Sequence, residues 1–596
     1  MRKAFFWLML ATGFIMVGAG TSCSEDDNSE AKTPIINPNP TDTTSNDNPA
    51  LSATQGWPAN YGGVMLQGFY WDSFEDSQWA VLEQQADQLS GTFDLVWLPQ
   101  SGNCGGTSMG YDDLYWFENY NSSFGNEQQL RSLINTFKAK GIKTIADVVI
   151  NHRKNKSNWV DFPKETYKGV TYEMLSTDIV ANDDGGKTKQ WATQNGYQLS
   201  SNNDSGEGWD GMRDLDHRSE NVQTIVKAYL DFLKNDLGYA GFRYDMVKGY
   251  SASYTAKYNS ASEPEFSVGE CWDGSNTIKN WIDGTKVNGQ PTSAAFDFQF
   301  RYVVRNAMNS GNYARLAEQN DNSWPLVSGN FSNGNYRRYA VTFVENHDTE
   351  RRSNAAQDPI TKDTLAANAY MLAMPGTPCV FMKHWQAYKQ EIANMVAVRK
   401  AVGITNESKP TQIEAKQGYY AVQVDGSGAK KMLCVVGSKA TTYTPDAKWK
   451  KALSGYHYIY YVQGIAPENI TLPVLPEDIQ PQPDGEFAGI PSFCTVSDGE
   501  ICAFFESPLS WGSQIFTWAW MNGGDGKDYV GTQWPGVAAT QIGTADNGNK
   551  VFKWISTQAT APDNIIFSGL QQTADLQFQN GGYYTKDGLQ GTVSAK

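Results

Sequence analysis

The chain has 596 residues, too many for one hydrophobic core, so several domains are expected, one of them large enough to be a barrel. A formal charge of -16 argues against nucleic acid or an anionic membrane surface as partner. Aromatic residues reach 13%, which suits surfaces that stack flat apolar faces, while charged residues make up only 19%, so solubility rests largely on Asn, Gln, Ser, Thr and Gly, as in many exported proteins.

Arg2 and Lys3 precede the apolar run "AFFWLMLATGFIMVGAG", and small residues then lead to Cys23. Residues 1–22 read as a signal peptide, too short and wrongly flanked for a spanning helix. A cysteine directly after small residues resembles a bacterial lipoprotein site, although Gly20 stands where an aliphatic residue is usual. Lipidation at Cys23 is expected, with ordinary cleavage as the alternative. Residues 23–55 are acidic, Pro-rich and nearly without apolar side chains, hence a disordered tether. The acidic run after the cysteine resembles the surface-export signal of some Gram-negative lipoproteins, so the chain is read as exported and held at the cell surface or outer membrane, otherwise secreted.

Residues 56–403 alternate short apolar runs with longer amphipathic segments. "VMLQGFYW", "DLVWLP", "IKTIADVVI", "AGFRYD", "FSVGE", "SAAFDF", "AVTFVE" and "PCVFM" are the predicted strands. Helical periodicity lies between most of them, clearly in "NEQQLRSLINTFKAKG" and "ENVQTIVKAYLDFLKNDLG", where apolar residues recur every three or four positions. Strand-helix pairs of this number predict an α/β fold, a (β/α)8 TIM barrel whose chemistry gathers at the strand C-termini. A doubly wound open sheet is the alternative, but no Gly-rich phosphate loop follows the first strand. The connection after the third strand, about 152–213, has little periodicity and reads as an inserted subdomain at the rim.

The strand ends carry unusual chemistry. The third closes on Asp147, Asn151 and His152, the fourth on Arg243, Asp245 and Lys248, the fifth on Glu270, the seventh on Asn346, His347 and Asp348. Charge at a strand end needs partners. Arg243 and Asp245, two residues apart, would share a face and could be a structural ion pair. Four independent strand ends with the same chemistry make a shared mouth the better reading.

These four motifs, in this order, resemble those of the α-amylase family of retaining glycoside hydrolases. The resemblance implies that Asp245 is the nucleophile, Glu270 the acid/base and Asp348 the third carboxylate that holds sugar hydroxyls. It further implies that His152 and His347 donate to hydroxyls of the same ring and that Lys248 meets the sugar on the leaving-group side. Arg243 would hold Asp245 ionised, since an adjacent guanidinium lowers a carboxylate pKa, whereas Glu270 must be raised by enclosure and nearby charge. "SMGYDDLYWF" resembles the family segment whose tyrosine stacks under the sugar, here Tyr111, and Gln67 and Tyr70 sit at the first strand end as further candidates for the cleft. The family commonly binds Ca²⁺ between barrel and insert, a hard ion preferring Asn, Asp and backbone oxygens. Asn151, Asp214 in "MRDLDHR" and the Gly249 carbonyl match such ligands; Asp178, Asp183 and Asp184 are explained equally well by turns. His217, His384 and His457 read as surface or packing residues. Six further cysteines show no metal spacing; only Cys494 and Cys502 are close enough in sequence for a bridge, and buried free thiols are the better expectation.

Residues 404–463 alternate apolar and polar side chains around an Asp-Gly turn, as a C-terminal antiparallel sheet would. A Pro-rich linker is expected over 464–493, then a β-sandwich module over 494–596. "QIFTWAWMNGG" puts Phe516, Trp518 and Trp520 on one face of a strand, for which a core face is the plain alternative. This segment, with "WPG" and "NIIFSGLQQTADL", resembles a family of starch-binding modules, which would make Trp518, Trp520, Trp534 and Gln572 sugar contacts. The expected activity is endo-hydrolysis of α-1,4 bonds in starch-like glucans with retention. An exo-acting maltooligosaccharide former or a transglycosylase is the nearest alternative, and a non-catalytic glucan-binding surface protein a more distant one. None of these motifs encodes an oligomeric state.

Overall fold

The computed structural model describes residues 56–595 apart from 210, 329–333, 353–356, 477–486, 509–510, 512–513 and 570. The signal peptide, the tether, Cys23 and the middle of the linker lie outside the described residues.

Each predicted barrel strand forms: β1 (Met65–Gln67), β2 (Leu95–Trp97), β3 (Lys143–Val148), β4 (Gly241–Tyr244), β5 (Phe266–Gly269), β6 (Ala294–Phe296), β7 (Ala340–Phe343) and β8 (Thr377–Phe381). They pair in parallel in chain order, and β1 against β8 closes the barrel. Nearly every strand residue is buried, which is why the strands read as continuous apolar runs rather than as alternation. The register sets Asp147 of β3 against Arg243 of β4 and Arg243 against Val268 of β5, so charged groups at neighbouring strand ends arrive at one level. Gly241 must be glycine, because a Cβ there would fall 2.1 Å from the Phe266 carbonyl oxygen of the next strand.

The helices follow their sequence signals. Glu127–Ala139 begins at an Asn126 capping box completed by Gln129, and Leu130, Leu133, Ile134 and Phe137 form the buried face. Glu220–Asp231 starts at Ser219, which accepts from Val222 N, and the chain runs on through the wider turns of Phe232–Leu237 to Gly238 at φ 96°.

The connection after β3 is ordered despite its weak periodicity. A ribbon pairs His152–Arg153 with Arg213–Asp214 and so closes the base of the insert, with His152 opposite Asp214. Inside it are a hairpin, Lys164–Tyr167 with Val170–Glu173, and a helix, Lys187–Gln194. Two buried ion pairs fix it: Arg153 with Glu165 at 2.5 Å and Arg213 with Asp183 at 2.6 Å. Glu165 also accepts from the backbone of Trp116 and Phe117, tying the insert to the loop after β2.

Beyond the barrel, residues 410–463 form a five-stranded antiparallel sheet, with Tyr419–Asp425 and Lys431–Val436 joined through the expected Asp425-Gly426 turn region. Residues 502–592 form two sheets, of five and four strands. Ala503 and Phe505 from the first and Ala519, Ile565 and Phe567 from the second share one apolar core, which makes this unit a sandwich. Among the described residues no helix is long and apolar enough to cross a membrane.

Candidate active site

Arg243 organises the strand ends. It is 1% exposed, and its guanidinium lies over the Trp97 ring at 4.9 Å. Nη1 donates to Asp147 Oδ1 at 2.9 Å and to Asp245 Oδ1 at 2.6 Å, and Nη2 pairs with Glu270 Oε1 at 2.9 Å. Three carboxyls from β3, β4 and β5 therefore share one cation, and Asp245 and Glu270 stand within its span of each other. The ion pair between Arg243 and Asp245 exists, but it is one arm of this larger cluster.

Asp147 has spent its oxygens: Oδ2 also accepts from Trp97 Nε1 at 3.1 Å and from Tyr111 Oη at 3.0 Å. Asp245 and Glu270 keep free lone pairs. Burial raises the Asp245 carboxyl to about 6; Arg243 opposes the rise, while Asp147 and Asp348 add to it. The expectation that Arg243 would hold this group low is thus corrected, since desolvation outweighs the cation. Burial raises Glu270 further, to about 8, again against Arg243 and with help from Asp245 and Asp348. At neutral pH the first is charged and the second carries a proton. Glu270 Oε2 accepts from Met246 N at 3.1 Å, a donor aimed by the left-handed turn at Met246 (φ 43°) directly after Asp245.

The β7 end completes the cluster. Asp348 is raised by burial, with Arg243 and Arg352 opposing, and its backbone N–H is held by Asn346 Oδ1 at 3.0 Å. His347 Nδ1 meets the Gln67 amide nitrogen at 2.9 Å, which puts the imidazole proton on Nε2, facing Tyr111 Oη at 2.7 Å and Asp348 Oδ2 at 3.2 Å. Burial drives its pKa well below the usual histidine range, so the ring is neutral. Tyr111 lies nearly parallel to His347 (5.4 Å, 11°) and to Trp71 (6.2 Å, 8°), a set of flat faces beside the acids.

The other expected contacts are placed as follows. His152 Nε2 donates to the Tyr111 carbonyl at 2.9 Å and its ring stacks on half-exposed Trp209, so in this state it positions the Tyr111 loop. Lys248 is held by Glu207 of the insert at 2.6 Å and Asp273 after β5 at 3.1 Å. Tyr70 is engaged by Asp76 and by Lys383, whose ammonium lies over its ring.

Asn151 and Asp214 are neighbours at the base of the insert, where Leu215 N donates to the Asn151 carbonyl at 3.0 Å. Gly249 has no Cβ to fill the space taken by Asn151 Oδ1, which lies 1.8 Å from where that atom would be, with the Glu207 carbonyl oxygen at 2.8 Å. Gly208 similarly makes room for Asp214 Oδ2 at 2.4 Å and Asp204 Oδ2 at 3.4 Å. Burial raises the Asp214 carboxyl to about 8, reinforced by Asp183 and Asp204. A buried carboxyl that Arg213 and the Trp209 N–H only partly offset, beside amide and carbonyl oxygens, is donor chemistry that suits a hard cation. Among the described residues no three His, Cys, Asp or Glu side chains converge to hold a metal by themselves. Asp178 instead caps a turn at Leu175 N and binds Ser219, Asp183 pairs with Arg213, and Asp184 pairs with Lys187.

His217 and His384 are buried packing residues, lowered by desolvation to about 4 and about 3, and His457 pairs with Asp363. The six described cysteines are free and buried, as expected.

In the module, Thr517 and Ala519 face inward and only Ala519 joins the sandwich core, so the plain core-face reading of the aromatic stripe does not hold for Trp518 and Trp520, which are half-buried on the other face. Trp534 is 42% exposed and meets Trp518 edge-on at 5.6 Å. Gln572 is exposed and bridges to Ser568.

Sequence reasoning did not single out Trp71, Trp97, Trp209, Trp272, Met246 or Arg352. Arg352 stacks on Trp71 at 4.4 Å. Trp272, two residues past Glu270, is 38% exposed, lies on Phe298 and lines a cleft of about 480 Å³ with Asp273 and Gln299. Aromatic residues directly after strand ends were the available signal for Trp71 and Trp272; a backbone donor such as Met246 N leaves none.

A family model, "Alpha amylase, catalytic domain", matches residues 93–419. A curated relative, probable alpha-amylase 2 of Arabidopsis thaliana, is 30% identical over 418 residues, covering 66% of this chain and 92% of the relative. A glucan 1,4-alpha-maltotetraohydrolase of Roseateles saccharophilus is 25% identical over 405 residues, 63% of this chain and 68% of its own. The crystal structure of an alpha-amylase from Geobacillus thermoleovorans is 14% identical, with 68% of this chain and 99% of that chain covered and a TM-score of 0.47.

Proposed function

The chain belongs to the α-amylase catalytic-domain family of glycoside hydrolases acting on α-1,4-glucans, and from that premise we propose that it cuts internal bonds of starch-like polymers with retention at the anomeric carbon. The observation that carries this reading is the sharing of one guanidinium by Asp245 and Glu270, with the first ionised and the second protonated at neutral pH. A retaining pair needs roughly 5–5.5 Å between its carboxyls and opposite protonation states.

Ionised Asp245 attacks the anomeric carbon while protonated Glu270 gives its proton to the departing glycosidic oxygen, leaving a glycosyl ester on Asp245 and an ionised Glu270. Glu270 then takes a proton from water, whose oxygen attacks the same carbon and frees Asp245. We assign to Asp348 and His347 the holding of ring hydroxyls as the ring flattens, and to Tyr111 the stacking face; the support is their position beside the two acids. Lys248, held between insert and β5 loop, is read as the contact on the leaving-group side.

Asn151, Asp214 and the Gly249 carbonyl would hold Ca²⁺, whose charge would neutralise the Asp214 carboxyl and lock the insert on the barrel. The 502–592 sandwich is read as a starch-binding module using Trp518, Trp520, Trp534 and Gln572. Its support is the outward-facing tryptophan stripe and the exposed Trp534 face. Attachment at the cell surface through Cys23 rests on the N-terminal sequence.

Asp245→Asn should abolish release of reducing sugar while polymer binding persists; near wild-type turnover would refute the assignment. An exo mode is the second reading, favoured by the maltotetraohydrolase relative. Early products from amylose separate them: mixed lengths indicate internal cuts, one short oligosaccharide an exo mode.

A further inference from the structure

A cleft of about 440 Å³ lies between the segment that leads into helix Glu127–Ala139 and the tryptophan face of the sandwich, lined by Asn126 and Gln129 on the barrel side and by Trp534, Ser568 and Gln572 on the other. We infer that this cleft is a second glucan site to which barrel and module contribute jointly, holding a neutral α-glucan chain between the Trp534 face and barrel amides. The inference rests on the reading of the sandwich as a starch-binding module, and extends it to a surface the module does not own.

The chemistry of the lining selects the ligand. Among the described residues no acidic or basic side chain lines the cleft, although the chain carries a formal charge of -16. Its walls are Asn, Gln, Ser, Gly, Phe, Trp and Pro, which suits a neutral, hydroxyl-rich molecule with an apolar flank. Trp534 supplies the flat face, and its edge-on partner Trp518 is pinned in turn, since a Cβ at Gly526 would fall 2.1 Å from the Trp518 ring. On the facing wall the capping box uses the two amide oxygens and not the nitrogens: Asn126 Oδ1 accepts from Gln129 N at 2.9 Å, and Gln129 Oε1 accepts from Asn126 N at 3.0 Å. Both NH₂ ends stay available as donors to hydroxyls of a sugar stacked on Trp534.

This wall is also tied to the catalytic mouth. Ser123, three residues before Asn126, accepts from Ser108 N at 2.8 Å, and Ser108 hydroxyl bonds to Asp112 beside Tyr111. Polymer held in the cleft would therefore lie against the loop that presents the Tyr111 platform.

The test uses the full chain and its partition onto granular starch. Asn126→Asp with Gln129→Glu keeps both capping oxygens and removes both amide donors, so the melting temperature serves as the folding control. Loss of two neutral hydrogen bonds should weaken granule binding about tenfold, and Trp534→Ala should weaken it by about tenfold or more. If Trp534→Ala weakens binding and the barrel-side pair does not, the module binds alone and the joint site is overturned while the starch-binding reading stands. If neither changes binding, both readings fall.

Discussion

Replacing Arg243 by Met removes the cation that Asp147, Asp245 and Glu270 share. Asp147, Asp245 and Glu270 have side chains 0%, 8% and 9% exposed, so water cannot replace it. A guanidinium at this range lowers a carboxyl by roughly 1–3 units, and Arg243 is the largest opposing cause for each of these acids. Without it Asp245 should move from about 6 to about 7–9. The ionised fraction at pH 7 would then fall from roughly 90% to between about 50% and 1%. Stability should also fall, by about 3–5 kcal/mol if the acids stay charged and by less if they protonate. The assay is kcat/KM on soluble starch from pH 4 to 9: the acid limb should shift to higher pH in Arg243→Met. Arg243→Lys keeps the charge but loses the fork that reaches three acids, so an intermediate shift is expected. An acid limb left at its wild-type position in a folded Arg243→Met protein would refute the view that Arg243 keeps the nucleophile charged.

The wild-type profile should be a bell, rising as Asp245 loses its proton near 6 and falling as Glu270 loses its own near 8. Asp245→Asn should remove the lower limb's cause together with the turnover, and a flat profile from pH 5 to 9 in the wild type would contradict both roles. Stability of the unliganded protein should run the other way from the acid limb. Folded-state values raised to about 6 for Asp245, and to about 7 for buried Asp297 and Glu345, mean that the folded state binds more protons than the unfolded one from about pH 4 upward. Their contribution is therefore fully present below about pH 4 and lost as pH rises through about 6–7. Urea midpoints that rise steadily over pH 5–8 would contradict this. Chelator should lower the melting temperature and added Ca²⁺ restore it; a melt indifferent to both would remove Asn151 and Asp214 as ligands.

The barrel was legible because parallel strands buried on both faces are written as short continuous apolar runs, and "TIADV" or "GFRY" cannot hide among amphipathic helices. The acids were legible for the same reason, since Asp245 and Glu270 interrupt or end such runs. What the sequence hides is the balance of energies at the mouth. The adjacency of Arg243 and Asp245 suggests a lowered carboxyl, whereas burial outweighs the cation and, with the neighbouring acids, leaves it raised. His152 carries the signature of a sugar contact, yet its Nε2 is occupied by the Tyr111 carbonyl, a partner set by the close approach of two loops far apart in the chain. Period-2 alternation grouped Phe516, Trp518 and Trp520 correctly on one face, but which face meets the core depended on where the second sheet lies.

The arrangement of two acids on one guanidinium has a stereochemical consequence that can be read directly. Proton NMR of the reducing ends first released from maltoheptaose, recorded before mutarotation, should show the α-anomer. First-formed β-anomer would mean that water attacks from the far side of the ring, and that Asp245 and Glu270 do not work as a nucleophile and its proton donor.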